Sequence, residues 1–373
     1  MASVHKRQTA DGVRYDVRYR TPDRKVRTKT FARKVDADRF ARTVEVDKSR
    51  GDWTDPRLAR ITFADWWDTY QMTVVDLRPS TRARDESYAR NHVLPRFGDL
   101  TLDQIDHMAV RSWVADLSAS DLAPATVQKA HQILAKCLRA AVAAGRLPSS
   151  PAEGVPLPRI EREEMRFLTP DEVATLADEI DPRYRALVIL GAYSGLRLGE
   201  LAGLTRERVD LLHRRVDVAE IVVEVRGELT IGPPKTRAGR RSVPLPRVAA
   251  DALAEHLGSH DHRHVFPAPA GGPMRAGQFR SRFWLPAVTR ADLAPLRIHD
   301  LRHTAVAFWI AAGASPKEIA VRAGHGSVSV VLDRYGHLLP GREHEVNDAL
   351  DALADAAKAA RSVRPRDIRA MDA

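Results

Sequence analysis

The chain has 373 residues, of which 44% are hydrophobic, and a formal net charge of +10. This length predicts two or three domains, and the apolar runs are too short to span a membrane. Residues 1–20 lack the apolar stretch of a secretory signal, and the single cysteine, Cys137, excludes an internal disulfide and a cysteine-based zinc site. We therefore expect a protein of the reducing cytosol whose positive charge favours a polyanionic partner.

Residues 1–60 carry most of the charge excess, with 17 Lys and Arg against 9 Asp and Glu. Apolar and polar residues alternate over 14–20 and again over 26–31, which predicts two strands, and a helix follows that Gly51 ends. We expect a small sheet packed on one helix, with a basic outer face. The local charge excess favours a nucleic-acid surface over a merely solvated one. The residues expected to bind DNA here are Arg18, Arg20, Arg27 and Lys29.

Residues 61–147 are predicted to form four or five helices of one small bundle, because caps and helix breakers punctuate the stretch. Thr62 is the predicted cap of the first helix, Ser80 or Thr81 that of the second, and Gly145 ends the last. The basic residues expected on a DNA-facing side are Arg82, Arg84 and Lys129. Solvation of an ordinary protein surface explains each of these residues equally well when it is taken alone.

Four prolines and a charge run make residues 148–168 a predicted semi-rigid linker. A capping pattern at Thr169 then opens a third region, predicted to be mostly helical to about residue 340, with strands within 214–245. The tail over 342–361 repeats apolar residues at helical spacing. Periodicity gives no direction, so this stripe fits docking on a neighbouring subunit and folding back on its own domain equally well.

Two stretches of the third region carry candidate arginines, and one of them also carries a histidine. Arg197 stands two residues after Gly195 in "YSGLRLGELAGL", near the end of an apolar helix. A helix-end ion pair with Glu200 explains this arginine when it is taken alone. His299 and Arg302 are three residues apart in "RIHDLRHT", so a helix places them on one face. A capped helix start is the simpler explanation of that pair.

The third stretch, "RAGHGSVSVVLDRYGHLL", places His325 ten residues before Tyr335. Packing in a core explains a tyrosine taken alone. The order Arg, His-x-x-Arg, Gly-His and Tyr is, however, a compound pattern that separate structural roles do not explain. The neighbouring histidines, His303 and His337, are expected to serve structure.

This order closely resembles that of the tyrosine recombinases, also called the phage integrase family, over roughly residues 60–340. "GLRLGE" is similar to the first arginine motif of the family, "HDLRHT" to its His-x-x-Arg box, and "GHGSVSVVLDRYGH" to its His-to-Tyr segment. "PPKTRAGRRSVPLP" resembles the β-hairpin that carries the catalytic lysine at its tip edge, which maps to Lys235. Ala323 stands before Gly324 where the family more often has leucine, a departure that concerns packing rather than catalysis.

The resemblance implies a multidomain, mainly α fold. It comprises a small N-terminal sheet-plus-helix domain, a helical core-binding domain, and a mixed α+β catalytic domain with a small β-hairpin sheet. The expected boundaries are 1–55 for an arm-type DNA-binding domain, 60–147 for the core-type DNA-binding domain, 148–168 for the linker, 169–340 for the catalytic domain and 341–373 for a helical tail.

The resemblance also implies cleavage and rejoining of DNA through a 3′-phosphotyrosine, with no metal, nucleotide or other cofactor. Tyr335 would be the nucleophile, Lys235 the general acid and His299 the general base. The groups that would bind the phosphate in the transition state are Arg197, Arg302 and His325.

The implied partners are double-stranded DNA with core-type and arm-type sites, a homotetramer that exchanges strands through a Holliday junction, a host bending factor and a directionality factor. No membrane is implied, and the expected place is the cytoplasm of a bacterial host, at its nucleoid. Three alternatives stay open: a Xer-type recombinase that resolves chromosome dimers, a type IB topoisomerase, and a DNA-binding regulator with an inactive site. The basic N-terminal sheet favours an integrase over a Xer-type protein, and the intact catalytic set argues against a regulator.

Overall fold

The structure is a computed structural model that describes residues 2–10, 12–20, 26–50, 57–161, 164–341 and 343–362. The chain divides into two compact units, Met1–Glu163 and Glu164–Ala373. Within the described ranges, no helix combines the length and the apolar character that crossing a membrane needs.

The N-terminal sheet packs on one helix, as predicted. Its antiparallel strands, in spatial order, are β1 (Ser3–Thr9), β2 (Gly12–Arg20) and β3 (Val26–Phe31), and the helix is α1 (Lys34–Arg50). Val17 and Tyr19 of β2 are buried in a core with Val44 of α1, whereas Arg18 and Arg20 are exposed. The alternation read from the sequence of β2 is therefore confirmed. The predicted end of the helix at Gly51 lies outside the described residues.

Arg27 and Lys29 lie on the helix-facing side of this sheet. The antiparallel register pairs them with Tyr19 and Val17, and directly paired residues project to the same face. The ammonium group of Lys29 accordingly lies 4.4 Å from the ring centroid of Phe40 on α1. The four basic residues expected to bind DNA therefore do not share one face, because pairing register decides the face.

The helical part of the first unit has its own core. Its helices are α2 (Phe63–Thr73), α3 (Pro79–Tyr88), α4 (Leu94–Phe97), α5 (His107–Ala119) and α6 (Pro124–Ala143). Thr62 caps α2 as predicted, since its hydroxyl accepts a hydrogen bond from the Asp65 N–H at 3.1 Å. The predicted cap of the second helix is wrong. Neither Ser80 nor Thr81 caps α3, which begins at Pro79 because the fixed φ of proline suits the first helical position.

Much of the predicted linker packs on a core. Ala152 and Val155 are buried in the helical core, and the Ala152 carbonyl lies 3.0 Å from Nε2 of His131. At the other end, Leu168 is buried in the core of the second unit. The stretch that neither core holds is therefore shorter than 148–168.

The second unit is mainly helical, with two small sheets. Its elements up to the last strand are α7 (Pro170–Glu179), α8 (Pro182–Ser194), α9 (Leu198–Gly203), β4 (Val209–Asp210), β5 (Arg215–Val218), β6 (Ile221–Val225), β7 (Glu228–Gly232) and β8 (Arg241–Pro244). The helices that follow are α10 (Arg247–Gly258), α11 (Ala276–Phe279), α12 (Leu285–Arg290), α13 (Asp300–Ala311), α14 (Pro316–Ala323), α15 (Ser329–Tyr335) and α16 (Glu343–Ser362). The strands pair in the orders β4-β5-β8 and β6-β7. The predicted fold class is confirmed.

The tail helix α16 leaves part of its apolar stripe uncovered. Leu350 and Leu353 are 56% and 68% exposed. Leu350 and Leu353 therefore do not pack into the core formed by the described residues of the second unit. The side chain of Val346, which also belongs to the predicted stripe, lies outside the described residues.

Candidate active site

Five of the predicted catalytic residues of the second unit, namely Arg302 and the four residues on which its charge acts, lie at helix ends. The charge of Arg302 acts on His299, His325 and Tyr335, and that of Arg197 acts on the same arginine and both histidines. The structure thus brings five of the six predicted catalytic residues into one electrostatic environment.

Arg302 is 2% exposed and held from two sides. Its guanidinium donates to the carbonyl of Gly195 at 2.6 Å and to that of Ala323 at 2.5 Å. These carbonyls stand where α8 and α14 end, and Gly195 and Gly324 are left-handed there, with φ of +64°. A Cβ on Gly195 would lie 2.8 Å from the Trp309 ring, so glycine is required.

Burial lowers the pKa of Arg302 to about 9, and the neighbouring charge of Arg197 acts in the same direction. The site thus holds a buried cation, poor in counter-charge, that an anion would stabilise.

The carboxylate of Glu200 binds two arginines, Arg197 and Arg241. This buried carboxylate accepts from Arg197 at 2.9 Å and from both terminal nitrogens of Arg241 at 3.1 and 3.0 Å. Burial alone would raise the pKa of Glu200, but hydrogen bonding and charge from Arg241 and Arg197 outweigh it and lower the pKa. The ion pair that explained Arg197 alone is therefore present, and it orients the arginine side chain. The Arg197 side chain keeps 41% of its surface exposed, so its guanidinium remains accessible.

Tyr335 ends α15 with its hydroxyl buried against a histidine. The residue is 1% exposed, and its Oη lies 2.6 Å from Nδ1 of His303. Burial raises the pKa of Tyr335, and the charges of Arg302 and Arg334 oppose that rise. Sequence reasoning assigned His303 to structure and missed this contact. The available signal was its spacing of four residues from His299, which places both histidines on one face of α13.

The two predicted histidines of the site are both neutral at pH 7. Burial, followed by charges that include Arg302 and Arg197, lowers the pKa of His299 and of His325 to about 4. Nδ1 of His325 is buried without a hydrogen-bond partner. Within the ranges that the structure describes, no group of three or more His, Cys, Asp or Glu side chains could hold a metal ion.

Residues 166–342 match the phage integrase family, and residues 62–118 match the N-terminal SAM-like domain of phage integrases. The chain belongs to the phage integrase family. The prophage phiRv2 integrase of Mycobacterium tuberculosis is 29% identical over 289 residues, which are 75% of either chain. The ICEBs1 integrase of Bacillus subtilis is 27% identical over 293 residues, 75% of this chain and 79% of its own. The solved Tn1549 transposon integrase in complex with a circular intermediate DNA has a TM-score of 0.68 at 18% identity and covers 79% of this chain and 99% of its own. The resemblance read from the motifs is confirmed, and the chain is a tyrosine-type site-specific recombinase.

Lys235 of this integrase is exposed and lies in the loop between β7 and β8. The predicted location at the tip edge of a β-hairpin is wrong. The hairpin is β6–β7, which turns at Arg226 and Gly227, both with positive φ. After β7, Pro233 and Pro234 cannot donate to a ladder, and the next strand, β8, joins the other sheet. Lys235 thus lies on an exposed loop, unlike the five predicted catalytic residues at helix ends.

The basic residues predicted on the helical bundle of this integrase mostly surround a buried carboxylate. Asp85 is 4% exposed, with nitrogens of Arg84, Lys129 and Lys136 at 3.5, 3.8 and 3.7 Å from its oxygens. Three cations around one carboxylate leave this surface with excess positive charge, which suits a phosphate-bearing partner. Arg82 differs, because its guanidinium donates to carbonyls at the end of α2.

Proposed function

We propose that this integrase recombines double-stranded DNA at specific sites and integrates a phage or another mobile element, with Tyr335 as the nucleophile. One observation supports this proposal above all: Tyr335 is buried, and the charge of Arg302 acts on its hydroxyl. A free phenol has a pKa near 10 and is a weak nucleophile. A fixed cation where negative charge develops is the arrangement that most lowers the barrier of such a reaction.

The proposed step exchanges one phosphodiester bond for another. Oη of Tyr335 loses its proton and bonds to phosphorus, the bond from phosphorus to the 5′-oxygen breaks, and that oxygen takes a proton from Lys235, the proposed general acid. The family resemblance implies His299 as the general base that takes the proton of Tyr335. The groups proposed to bind the non-bridging oxygens are Arg197, Arg302 and His325. The 3′-phosphotyrosine conserves the bond energy, so a 5′-hydroxyl from a second DNA reverses the step without ATP.

The domain roles are proposed from charge and fold. Residues 1–55 would bind arm-type sites, because Arg18 and Arg20 stand exposed on the sheet face away from α1. Residues 60–147 would bind the core site, with Lys129 beside the excess charge around Asp85. Residues 148–168 would link this part to the catalytic domain, 169–340.

A homotetramer on two DNA duplexes is proposed from the tail, residues 341–373. Leu350 and Leu353 are exposed on α16, and an uncovered apolar stripe on a helix favours a partner surface. Docking on a neighbouring subunit is therefore preferred over folding back on the same domain. A host bending factor and a directionality factor would act with this assembly at the nucleoid of a bacterial host.

The test is a cleavage assay on the DNA that flanks the gene of this integrase. Short nicked duplexes tiled across that DNA trap a covalent adduct, because the short fragment released with a free 5′-hydroxyl diffuses away. Wild type should give a slow band on a denaturing gel, and Tyr335→Phe should bind the same duplex without a band. Relaxation of supercoiled plasmid by the monomer would instead favour a type IB topoisomerase. Tight, salt-sensitive binding with no band from any duplex would favour an inactive regulator.

A further inference from the structure

The hydroxyl of Tyr335 has a specific partner on another helix of the second unit. Nδ1 of His303 lies 2.6 Å from Oη, and the two rings stand 5.8 Å apart between centroids. His303 is 5% exposed and Tyr335 is 1% exposed. Water therefore has little access to this hydrogen bond, and the pair borders the core that α13, α14 and α15 share.

His299, the base expected from the family pattern, stands one ring further away. Its ring meets that of His303 edge to face, with centroids 4.9 Å apart and an angle of 89°. Among the described residues, the side chain bonded to the hydroxyl of Tyr335 is that of His303. A general base must stand within about 2.6–3.2 Å of the atom whose proton it takes. In this structure, His303 meets that condition.

We propose that His303 is a catalytic residue that accepts the proton of Tyr335 during DNA cleavage. This proposal rests on the proposed function, in which Tyr335 is the nucleophile. As Oη bonds to phosphorus, its proton moves to Nδ1 of His303, which becomes an imidazolium, and the 5′-oxygen leaves with a proton from the general acid. In the rejoining step, Nδ1 returns the proton to the tyrosine oxygen as that oxygen leaves phosphorus. His299 then supports the charge of the phosphate and of the new imidazolium.

The surroundings of His303 suit a proton acceptor. Burial lowers its pKa, Asp300 raises it, and the arginine charges lower it again, so the ring is neutral at pH 7. In the tautomer with its proton on Nε2, Nδ1 accepts from the tyrosine hydroxyl. The charged and titratable groups that face His303 come from three places. They are Asp300 and Arg302 on α13, His299 and Arg297 just before α13, and Arg334 and Tyr335 on α15. A DNA phosphate adds negative charge among these cations, which favours the imidazolium as the reaction proceeds.

The test is the pH dependence of single-turnover cleavage by the full chain. The substrate is a nicked duplex that carries the core site, and the proteins are wild type, His303→Asn and His337→Asn. Asparagine places an amide where Nδ1 stands, so it keeps a hydrogen-bond partner for the hydroxyl but cannot take its proton. His337 is a matched control because it is exposed, two residues from the same tyrosine, and packed near Phe167.

His303→Asn should bind the duplex like wild type and cleave it about 10²–10⁴-fold more slowly at pH 7. Its rate should then rise about tenfold per pH unit between pH 7 and 9, because the fraction of tyrosinate rises by that factor below the phenol pKa. Wild type and His337→Asn should change little over this range. A fluorinated tyrosine at position 335, which loses its proton more easily, should restore most of the lost rate in the His303→Asn background.

Three results would overturn the proposal. Cleavage by His303→Asn at the wild-type rate would remove the histidine from the reaction. A rate lowered by the same factor at every pH, without rescue by the fluorinated tyrosine, would make His303 a structural residue. Faster cleavage would mean that the hydrogen bond only restrains the tyrosine. Absence of any adduct with wild type is a separate outcome, because it overturns the nucleophile itself and the proton acceptor with it.

Discussion

Replacing Glu200 with glutamine keeps the size of the side chain and removes the buried charge on which two arginines depend. The side chain of Arg241 is 5% exposed, so glutamine leaves its guanidinium buried without a counter-charge. Removing one partner of such a pair costs about 3–5 kcal/mol. Arg197 adds little to this figure, because its side chain is 41% exposed and water screens its charge. We expect Glu200→Gln to lower the free energy of unfolding of the second unit by about 3–5 kcal/mol at pH 7.

The stability lost in Glu200→Gln should depend on pH in a defined direction. The pKa of Glu200 in the folded protein is lowered below its ordinary value of 4.5. A carboxylate of this kind contributes stability above its unfolded-state pKa and loses the contribution as the pH falls through its folded-state pKa. The difference between wild type and Glu200→Gln should therefore be full at pH 7 and shrink below pH 4.5.

Hydrogen exchange in a urea series measures this difference in the full chain, because peptides from 164–341 report on the second unit alone. Glu207→Gln is the matched control, since the Glu207 carboxylate and its partner Arg263 are 63% and 69% exposed at 3.6 Å. Glu207→Gln should lower the free energy of unfolding by about 0–1 kcal/mol. Equal losses in the two variants, or a Glu200→Gln loss unchanged between pH 7 and pH 4, would refute the assignment of a buried charge network to Glu200.

Three further predictions concern acid catalysis, DNA binding and assembly. Lys235→Ala should fail to cleave ordinary DNA and recover on a duplex whose 5′-bridging oxygen is sulfur, because a thiolate leaves without a proton; no recovery would move the acid role to another residue. Deleting residues 1–55 should leave cleavage of the core site intact and abolish gel-shift binding to a second, distant class of site; loss of core cleavage would contradict an arm-binding role. Leu350→Asp with Leu353→Asp should leave single-site binding unchanged and reduce the tetramer on DNA in a sizing run, whereas an unchanged tetramer would place the tail outside the interface.

Local features of the fold followed from the sequence because short-range chemistry decides them. The cap at Thr62 depends on a hydroxyl three residues before an amide, and the buried face of β2 depends on period-two alternation around Val17. The pair of Arg197 and Glu200 likewise needed only a spacing of three on a helix end. The order of the motifs indicated the family, whereas no single residue of the motifs did.

Features set by pairing and by long-range packing did not follow. The face of Lys29 depends on the register between β2 and β3, and the place of Lys235 depends on which sheet β8 joins. The contact of His303 with Tyr335 joins residues that are 32 positions apart in the chain. Such a contact depends on how α13 packs against α15, which neither periodicity nor spacing specifies.

The central claim is that Tyr335 forms the covalent bond to DNA, and mass spectrometry of the trapped adduct tests it most directly. The adduct formed on the core duplex is digested with nuclease and trypsin, and the peptide that carries the nucleotide is sequenced. We expect a nucleotide 3′-phosphate on the hydroxyl of Tyr335 and no modified peptide from Tyr335→Phe. A nucleotide on Tyr193 or on any other residue, or an adduct that persists in Tyr335→Phe, would contradict this claim.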